Sequence, residues 1–238
     1  MPFHIQDKSI APHLWSLYHQ DLRSDDWDET LETVYVNDNQ HPYRELEFKE
    51  EWRNKNIIIG TTDINTGYFQ SYRYLENAED PIRVAFGLDN IDLYRHTCSV
   101  HLRGGDYLKL QQHHPVITQE YLIQAIDITL QSYIVKEFKF FTDDIEYFMP
   151  IIKRIKSILP SRYFSLSIGG TELNDFRQMM GCQYNITSNS SFSVLAAILN
   201  PTEDKVVIVP HEDNYFGELN KKLSVEDLYP PNFIRIKY

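Results

Sequence analysis

The chain has 238 residues, 42% of them hydrophobic and 24% charged, enough for one large or two small globular units with a substantial core. Its formal net charge of -11 opposes non-specific binding to nucleic acid, because a polyanion would meet a mostly negative surface; an anionic ligand therefore needs a local positive pocket. Only Cys98 and Cys182 are present, which excludes a disulfide framework or a cysteine metal site and predicts two buried, reduced thiols.

The opening stretch, MPFHIQDKSIAPHLW, has no basic region followed by an apolar run, and no segment approaches the roughly 20 apolar residues of a membrane span. The expectation is a cytoplasmic protein without a transmembrane segment, with peripheral association with a membrane left open. DLRSDDWDETLETVYV and FKEEWRNKNIIIG offer acidic, weakly patterned segments and one or two strands, and GYFQSYRYLENAEDPIRVAFGL reads as a turn followed by a helix. From Cys98 the pattern becomes regular. The β-rich runs CSVHLR, EFKFFTD, RYFSLSI, CQYNITS and KVVIVP alternate with the helix-like runs TQEYLIQAIDITLQSYI, DIEYFMPIIKRIKSIL, TELNDFRQMM and SSFSVLAAILN. In the first long helix Tyr121, Leu122, Ala125, Ile128 and Thr129 recur at three- and four-residue steps, and in the second Ile145, Phe148, Ile151, Ile152 and Ile155 do. Five strands with four connecting helices predict an α/β fold, a doubly wound parallel sheet with right-handed crossovers.

Such sheets bind ligands beyond the carboxyl ends of their strands, so the loops leading into helices hold the candidates. After the first of these strands comes HLRGGDY, His101 to Tyr107. Arg103 there can grip phosphate with its planar fork of donors, with Gly105 giving room, or it can simply pair with Asp106 at the surface. In FKFFTDD, Asp143 and Asp144 close a strand and suggest a metal site or an acid-base pair, but adjacent carboxylates point in different directions and Asp144 is placed to cap the next helix; Thr142 precedes them in the same loop. Asp175, at the start of NDFRQMM, can accept two N–H groups of a purine edge or cap that helix. In TSNSSF, Ser190 and Ser191 fall where a helix begins, a place for an anion or for an ordinary serine cap. His113 and His114 read as an exposed loop pair. Asn185-Ile186-Thr187 and Asn189-Ser190-Ser191 match the N-glycosylation pattern but, with no secretory signal, are expected to be unmodified. No G-x-x-x-x-G-K-[ST], G-x-G-x-x-G or G-x-S-x-G motif is present, so ATPase, dinucleotide and serine-hydrolase readings lack their anchors.

In order along the chain, GYFQSYRYL, VHLRGGDYL, FFTDDIEYF and NDFRQMMGCQYNITSNSSFSVLAAILNP followed by KVVIVP resemble the motifs of family 11 glycosyltransferases, the α-1,2-fucosyltransferases. The similarity covers about residues 67–216, and the combination is more specific than any piece. More distantly, the arginine and double-serine loops look like those of the core and protein O-fucosyltransferases.

The resemblance implies a GT-B-like fold, with residues 1–95 as a shortened, acceptor-side lobe and residues 96–238 as a Rossmann-like domain that binds GDP-sugar. It implies inverting transfer of fucose from GDP-fucose to a hydroxyl of a glycan acceptor, the 2-OH of galactose, without a metal or other cofactor. Arg103 would bind the β-phosphate and stabilise departing GDP; His101 would line the pocket. Asp175 would recognise guanine, and Asn189, Ser190, Ser191 and Phe192 would hold the phosphates at the helix start. Asp106, Thr142 and Asp143 are additional candidates for the donor site. Three departures stand out: the second arginine of H-x-R-R-x-D-Y is Gly104, two tryptophans after the serine motif are Val194 and Leu195, and no counterpart of the opening G-G-L-G-N-Q segment occurs. They motivate alternatives: an inactive or partner-dependent GDP-sugar-binding protein, or a scaffold with no ligand. The general base, the oligomeric state and the acceptor are not legible.

Overall fold

The computed structural model of the chain describes residues 33–37, 56–60, 71–159 and 162–238. The expected acidic segments ahead of Thr33, the FKEEW run and GYFQ lie outside the described residues. Strands β1 (Thr33–Asn37) and β2 (Asn56–Gly60) pair in parallel as a two-stranded sheet. Helix α1 (Glu79–Ala85) follows a single turn of 3-10 helix at Tyr72–Tyr74, matching the expected turn and helix.

A six-stranded parallel sheet follows. Its strands are β3 (Tyr94–Leu102), β4 (Glu137–Thr142), β5 (Tyr163–Leu166), β6 (Cys182–Ile186), β7 (Val206–Pro210) and β8 (Ile234–Ile236). The connecting helices are α2 (Gln119–Ser132), α3 (Ile145–Ile158), α4 (Glu172–Gly181) and α5 (Ser191–Leu199). The order across the sheet is β5-β4-β3-β6-β7-β8, and every neighbouring pair is parallel. The chain builds outward from β3 to β5, then returns to the other side of β3 and builds outward again. This reversal is the topological switch point at which open α/β sheets bind ligands.

Side chains on successive residues of a strand point to opposite faces, and β3 separates two kinds of interior in this way. Cys98, Val100 and Leu102 join Phe138, Phe140, Ile186 and Ile208 under the apolar stripes of α2 and α3. The stripe of α2 includes Ile126 as a buried residue, whereas Ile128 only packs against its margin. On the other face α4 and α5 meet through Phe176, Met179, Met180, Ala196 and Leu199, with Leu88 packed among them. Phe138 and Phe140 are among the largest fully buried side chains, each worth about 1.5–3 kcal/mol against exposure.

The second face of β3 is polar, lined by Thr97, Ser99 and His101. Burial of such groups is tolerated only when they are paired. The Asn185 amide donates to Ser99 Oγ and to the carbonyl of Met179, both at 2.7 Å, and its Oδ1 accepts from Asn200 at 3.0 Å. Asn200 also donates to the Cys182 carbonyl at 2.7 Å and accepts from the Thr202 amide at 2.9 Å. One network thereby ties β3, β6, the end of α4 and the end of α5. Asn185 and Asn189 are both buried, so neither glycosylation pattern is presented for modification in the folded chain. The two cysteines are free and buried, and burial pushes the Cys182 thiol up to about 12.

Replacing Asn185 with Ala strands the partners of its amide; the expected cost is about 2–4 kcal/mol in urea denaturation, against under about 0.5 kcal/mol for a control at exposed Lys153.

Candidate functional site

Two loops face each other at the switch point. The first leaves β3, whose Leu102 lies opposite Thr142 of β4 in the register, so residues 103–106 are carried beside Asp143 and Asp144. The second leaves β6 and enters α5.

Arg103 lies just beyond its strand with its side chain 34% exposed. One guanidinium nitrogen meets Asp143 Oδ2 and another meets Asp106 Oδ1, both at 2.7 Å. The expected surface pair with Asp106 is therefore present, and Asp143 makes it a clamp with two carboxylates. Asp143 Oδ1 also accepts from the Gly104 amide at 2.7 Å, so this carboxylate orients both the loop and the cation it carries. Thr142 Oγ1 accepts from the Asp144 amide at 3.0 Å, and Asp144 accepts from the Tyr147 amide at 3.0 Å, which caps α3 as expected.

Both glycines of the loop are required by close approach. A Cβ on Gly104 would lie 2.9 Å from Asp144 Cβ and 3.0 Å from Phe148 Cε2, because the loop rests on the first turn of α3. An arginine at this position would have to displace Asp144 or Phe148, so the departure from H-x-R-R-x-D-Y is built into the packing. Gly105 has φ +40°, and a Cβ there would lie 2.6 Å from Asp143 Oδ2. The space beside Gly105 is taken by the chain's own Asp143 carboxylate, the far end of a side chain.

His101 points to the polar face of β3, buried, and its Nδ1 shares a hydrogen bond with Ser188 Oγ at 2.8 Å across to the second loop. Burial, with a smaller push from the Arg103 charge, lowers it from an ordinary 6.5 to about 3. The ring is therefore neutral at neutral pH and can share a hydrogen bond without adding charge. It lies 5.9 Å from the Phe192 ring, which in turn packs edge-on against Phe176 at 5.4 Å.

The second loop ends in an open helix terminus. Ser190 occupies the cap position of α5 with extended backbone, but its side chain makes no capping bond. By contrast Thr118, Asp144 and Thr171 each accept from an amide in the first turn of α2, α3 and α4. The first-turn N–H groups at Ser191 and Phe192 are thus left without a side-chain cap, at the positive end of the helix dipole. At the other end, Arg83 donates to the Leu199 carbonyl at 2.8 Å, and Lys205 donates to the carbonyls of Ile198 and Asn200 at 2.7 and 2.8 Å. These cations line a cavity of about 490 Å³ far from the switch point, where they are engaged as helix caps.

Asn189 is fully buried. Its amide donates to the carbonyls of Pro115 at 2.7 Å and Tyr215 at 3.0 Å, so it tethers the loop to two neighbouring segments. Asp175 stands apart: Ser167 Oγ donates to its Oδ1 at 2.6 Å beside the β5 to α4 connection, and Thr171 rather than Asp175 caps α4.

Tyr107 and His114 are two members of the site without an assigned role in the sequence. The Tyr107 hydroxyl donates to the Asn189 carbonyl at 3.4 Å, closing one loop onto the other, and burial raises it to about 12. The Arg103 guanidinium lies over the Tyr107 ring at 5.3 Å, and His114 stacks on that ring at 5.0 Å. The histidine pair expected to be exposed is in fact half-buried: His114 also contacts Phe216, and His113 shares a hydrogen bond with Asn220 at 3.2 Å. The Tyr107 ring, four residues after Arg103, was the available signal.

A single fork of positive charge therefore stands beside an uncapped helix terminus at the crevice where the sheet reverses order. The model of the family described as glycosyl transferase family 11 matches residues 33–237, which include every one of these side chains. The chain belongs to glycosyl transferase family 11. It is also similar, at 25% identity over 207 residues, to the O-antigen biosynthesis glycosyltransferase WbnK of Escherichia coli; the match covers 76% of this chain and 65% of that protein. Among solved structures it is similar to POFUT1 in complex with GDP-fucose, at a TM-score of 0.42 and 10% identity over 66% of this chain and 55% of that one. Among the described residues no helix of this family member is long and apolar enough to cross a membrane.

Because His101 is neutral when folded and binds a proton when unfolded, the unfolded chain holds more protons between pH 6.5 and about 3. The stability tied to this ring is complete above pH 6.5 and falls as pH drops through that window. Unfolding free energies from urea denaturation across this window should fall more steeply for the native chain than for His101→Gln, by up to about 1.4 kcal/mol per pH unit.

Proposed function

We propose that this chain is an inverting fucosyltransferase that moves fucose from GDP-fucose to a hydroxyl of a glycan acceptor, the 2-OH of galactose. The observation that carries the reading is the pairing, across one crevice, of the Arg103 fork with the uncapped first turn of α5. A diphosphate seated there would receive backbone N–H donors from Ser191 and Phe192 and a bidentate contact from Arg103. On binding, the phosphate would take over guanidinium donors now held by Asp143 and Asp106. In the reaction the acceptor oxygen forms a bond to C1 of fucose as the bond from C1 to the phosphate oxygen breaks. The electron pair leaves with GDP, and the acceptor proton passes to a base.

Charge grows on the β-phosphate in this step, where a preorganised cation and oriented N–H groups stabilise the transition state without a metal. His101 would act beside them as a neutral donor or acceptor held by Ser188. Asp175 would read guanine by exchanging its bond from Ser167 for N–H groups of the base. The donor half is assigned to residues 96–238 and the acceptor side to residues 1–95. Two buried thiols fit a reducing compartment, the cytoplasm.

A second reading, a GDP-sugar-binding protein without turnover of its own, is favoured by Gly104, whose packing leaves Arg103 without the companion arginine. Incubation with labelled GDP-fucose and a panel of β-galactosides separates the two. Transfer that falls by about 10²-fold or more in Arg103→Ala supports the enzyme. GDP binding in calorimetry without transfer or hydrolysis supports the second reading, and no binding of GDP at all defeats both.

A further inference from the structure

The cations of this acidic chain are distributed unevenly. Between Glu146 and Glu172 there is no carboxylate, in a protein with 34 of them, and the same stretch carries Lys153, Arg154, Lys156 and Arg162. All four side chains are exposed. The structure brings a fifth to them: the Tyr163 amide donates to the Lys136 carbonyl at 3.1 Å, and the Arg162 amide donates to the Leu159 carbonyl at 3.1 Å. The end of α3, the start of β5 and the residues before β4 thus form one surface at the amino-terminal edge of the sheet. It lies at the end opposite the crevice.

These five cations have no carboxylate partner among the described ion pairs; Arg154 is turned toward Gln119 Oε1, at 3.5 Å in the first turn of α2, and so flanks the surface that the other four line. Glu137, next to Lys136, is turned toward Ser165 and Thr97. Interleaved with the cations are exposed apolar side chains: Ile134 at 70%, Ile158 at 56% and Tyr163 at 66%. Elsewhere on the described surface the cations are mostly paired, as Arg95 is with Asp204, Arg235 with Glu212 and Lys237 with Asp213.

We infer that this surface docks on an anionic lipid bilayer. Lys and Arg side chains meet acidic headgroups, while Ile134, Ile158 and Tyr163 reach the boundary between headgroups and acyl chains. The combination discriminates among anionic partners. A nucleic acid would gain from the cations but nothing from two exposed isoleucines, and the overall charge of -11 repels a long polyanion that extends beyond the patch. A bilayer is planar, engages the patch alone and rewards the apolar residues. Held in this way, the chain presents its crevice away from the membrane surface. The inference is independent of the sugar assigned to the site.

Co-sedimentation of the full chain with vesicles tests it. Vesicles of phosphatidylcholine with about 30% phosphatidylglycerol should retain the protein at low salt, and pure phosphatidylcholine vesicles should not. Retention should fall at least about tenfold when Lys136, Lys153 and Lys156 are all changed to Glu, and also in about 0.5 M salt. The double variant Ile134→Ser, Ile158→Ser should bind anionic vesicles several-fold more weakly with the salt dependence kept. Circular dichroism checks that each variant folds. Absence of binding to the anionic vesicles, or binding that the charge reversal leaves unchanged, overturns the proposal. So does a double-stranded DNA or RNA fragment that binds the same patch while the vesicles do not.

Discussion

The parallel pairing of β3 with β6 is the constraint on which the site depends. It sets Ser99 opposite Asn185 and Val100 opposite Ile186, and therefore brings the residues that follow each strand to the same height at one edge of the sheet. The reversal of strand order at this pair leaves a crevice that no crossover helix fills. The buried bonds from Asn185 to Ser99 and from His101 to Ser188 hold the pair in register from within. An exposed ion pair could not do this, because side-chain entropy and solvent screening leave it worth little.

From that constraint the charge distribution follows. α5 has cations on its carbonyl end and no side-chain cap on its N–H end, so its dipole is neutralised where it faces packing and left available where it faces the crevice. Arg103 is delivered to the same place and kept there by Asp143 and Asp106. A chain with a net charge of -11 can hold a diphosphate only at such a point, where local positive charge and oriented N–H groups exceed the repulsion of the remainder.

The alternation of strand and helix from Cys98 to Pro210 was legible in the sequence because each helix carries an apolar stripe and each strand a short β-rich run. Strand β8 was not: Ile-Arg-Ile at Ile234–Ile236 is three residues long, and its pairing to β7 is decided by the sheet, not by a local pattern. Arg103 was legible from its place at a strand end. Asp143 was legible as a further candidate but its pairing with Arg103 was not, since they are 40 positions apart and meet only through the β3 to β4 register. The reason for Gly104 likewise lies in Asp144 and Phe148, on another element. His113 and His114 looked exposed because a polar loop gives no sign that it will fold against Tyr107 and Phe216.

The site's central property is where a guanosine diphosphate binds. A crystal structure of the chain soaked with GDP should show the β-phosphate accepting from the amides of Ser191 or Phe192, with Arg103 turned from Asp143 to the phosphate. A diphosphate bound elsewhere, with the Arg103 to Asp143 pair intact and the first turn of α5 empty, would contradict it.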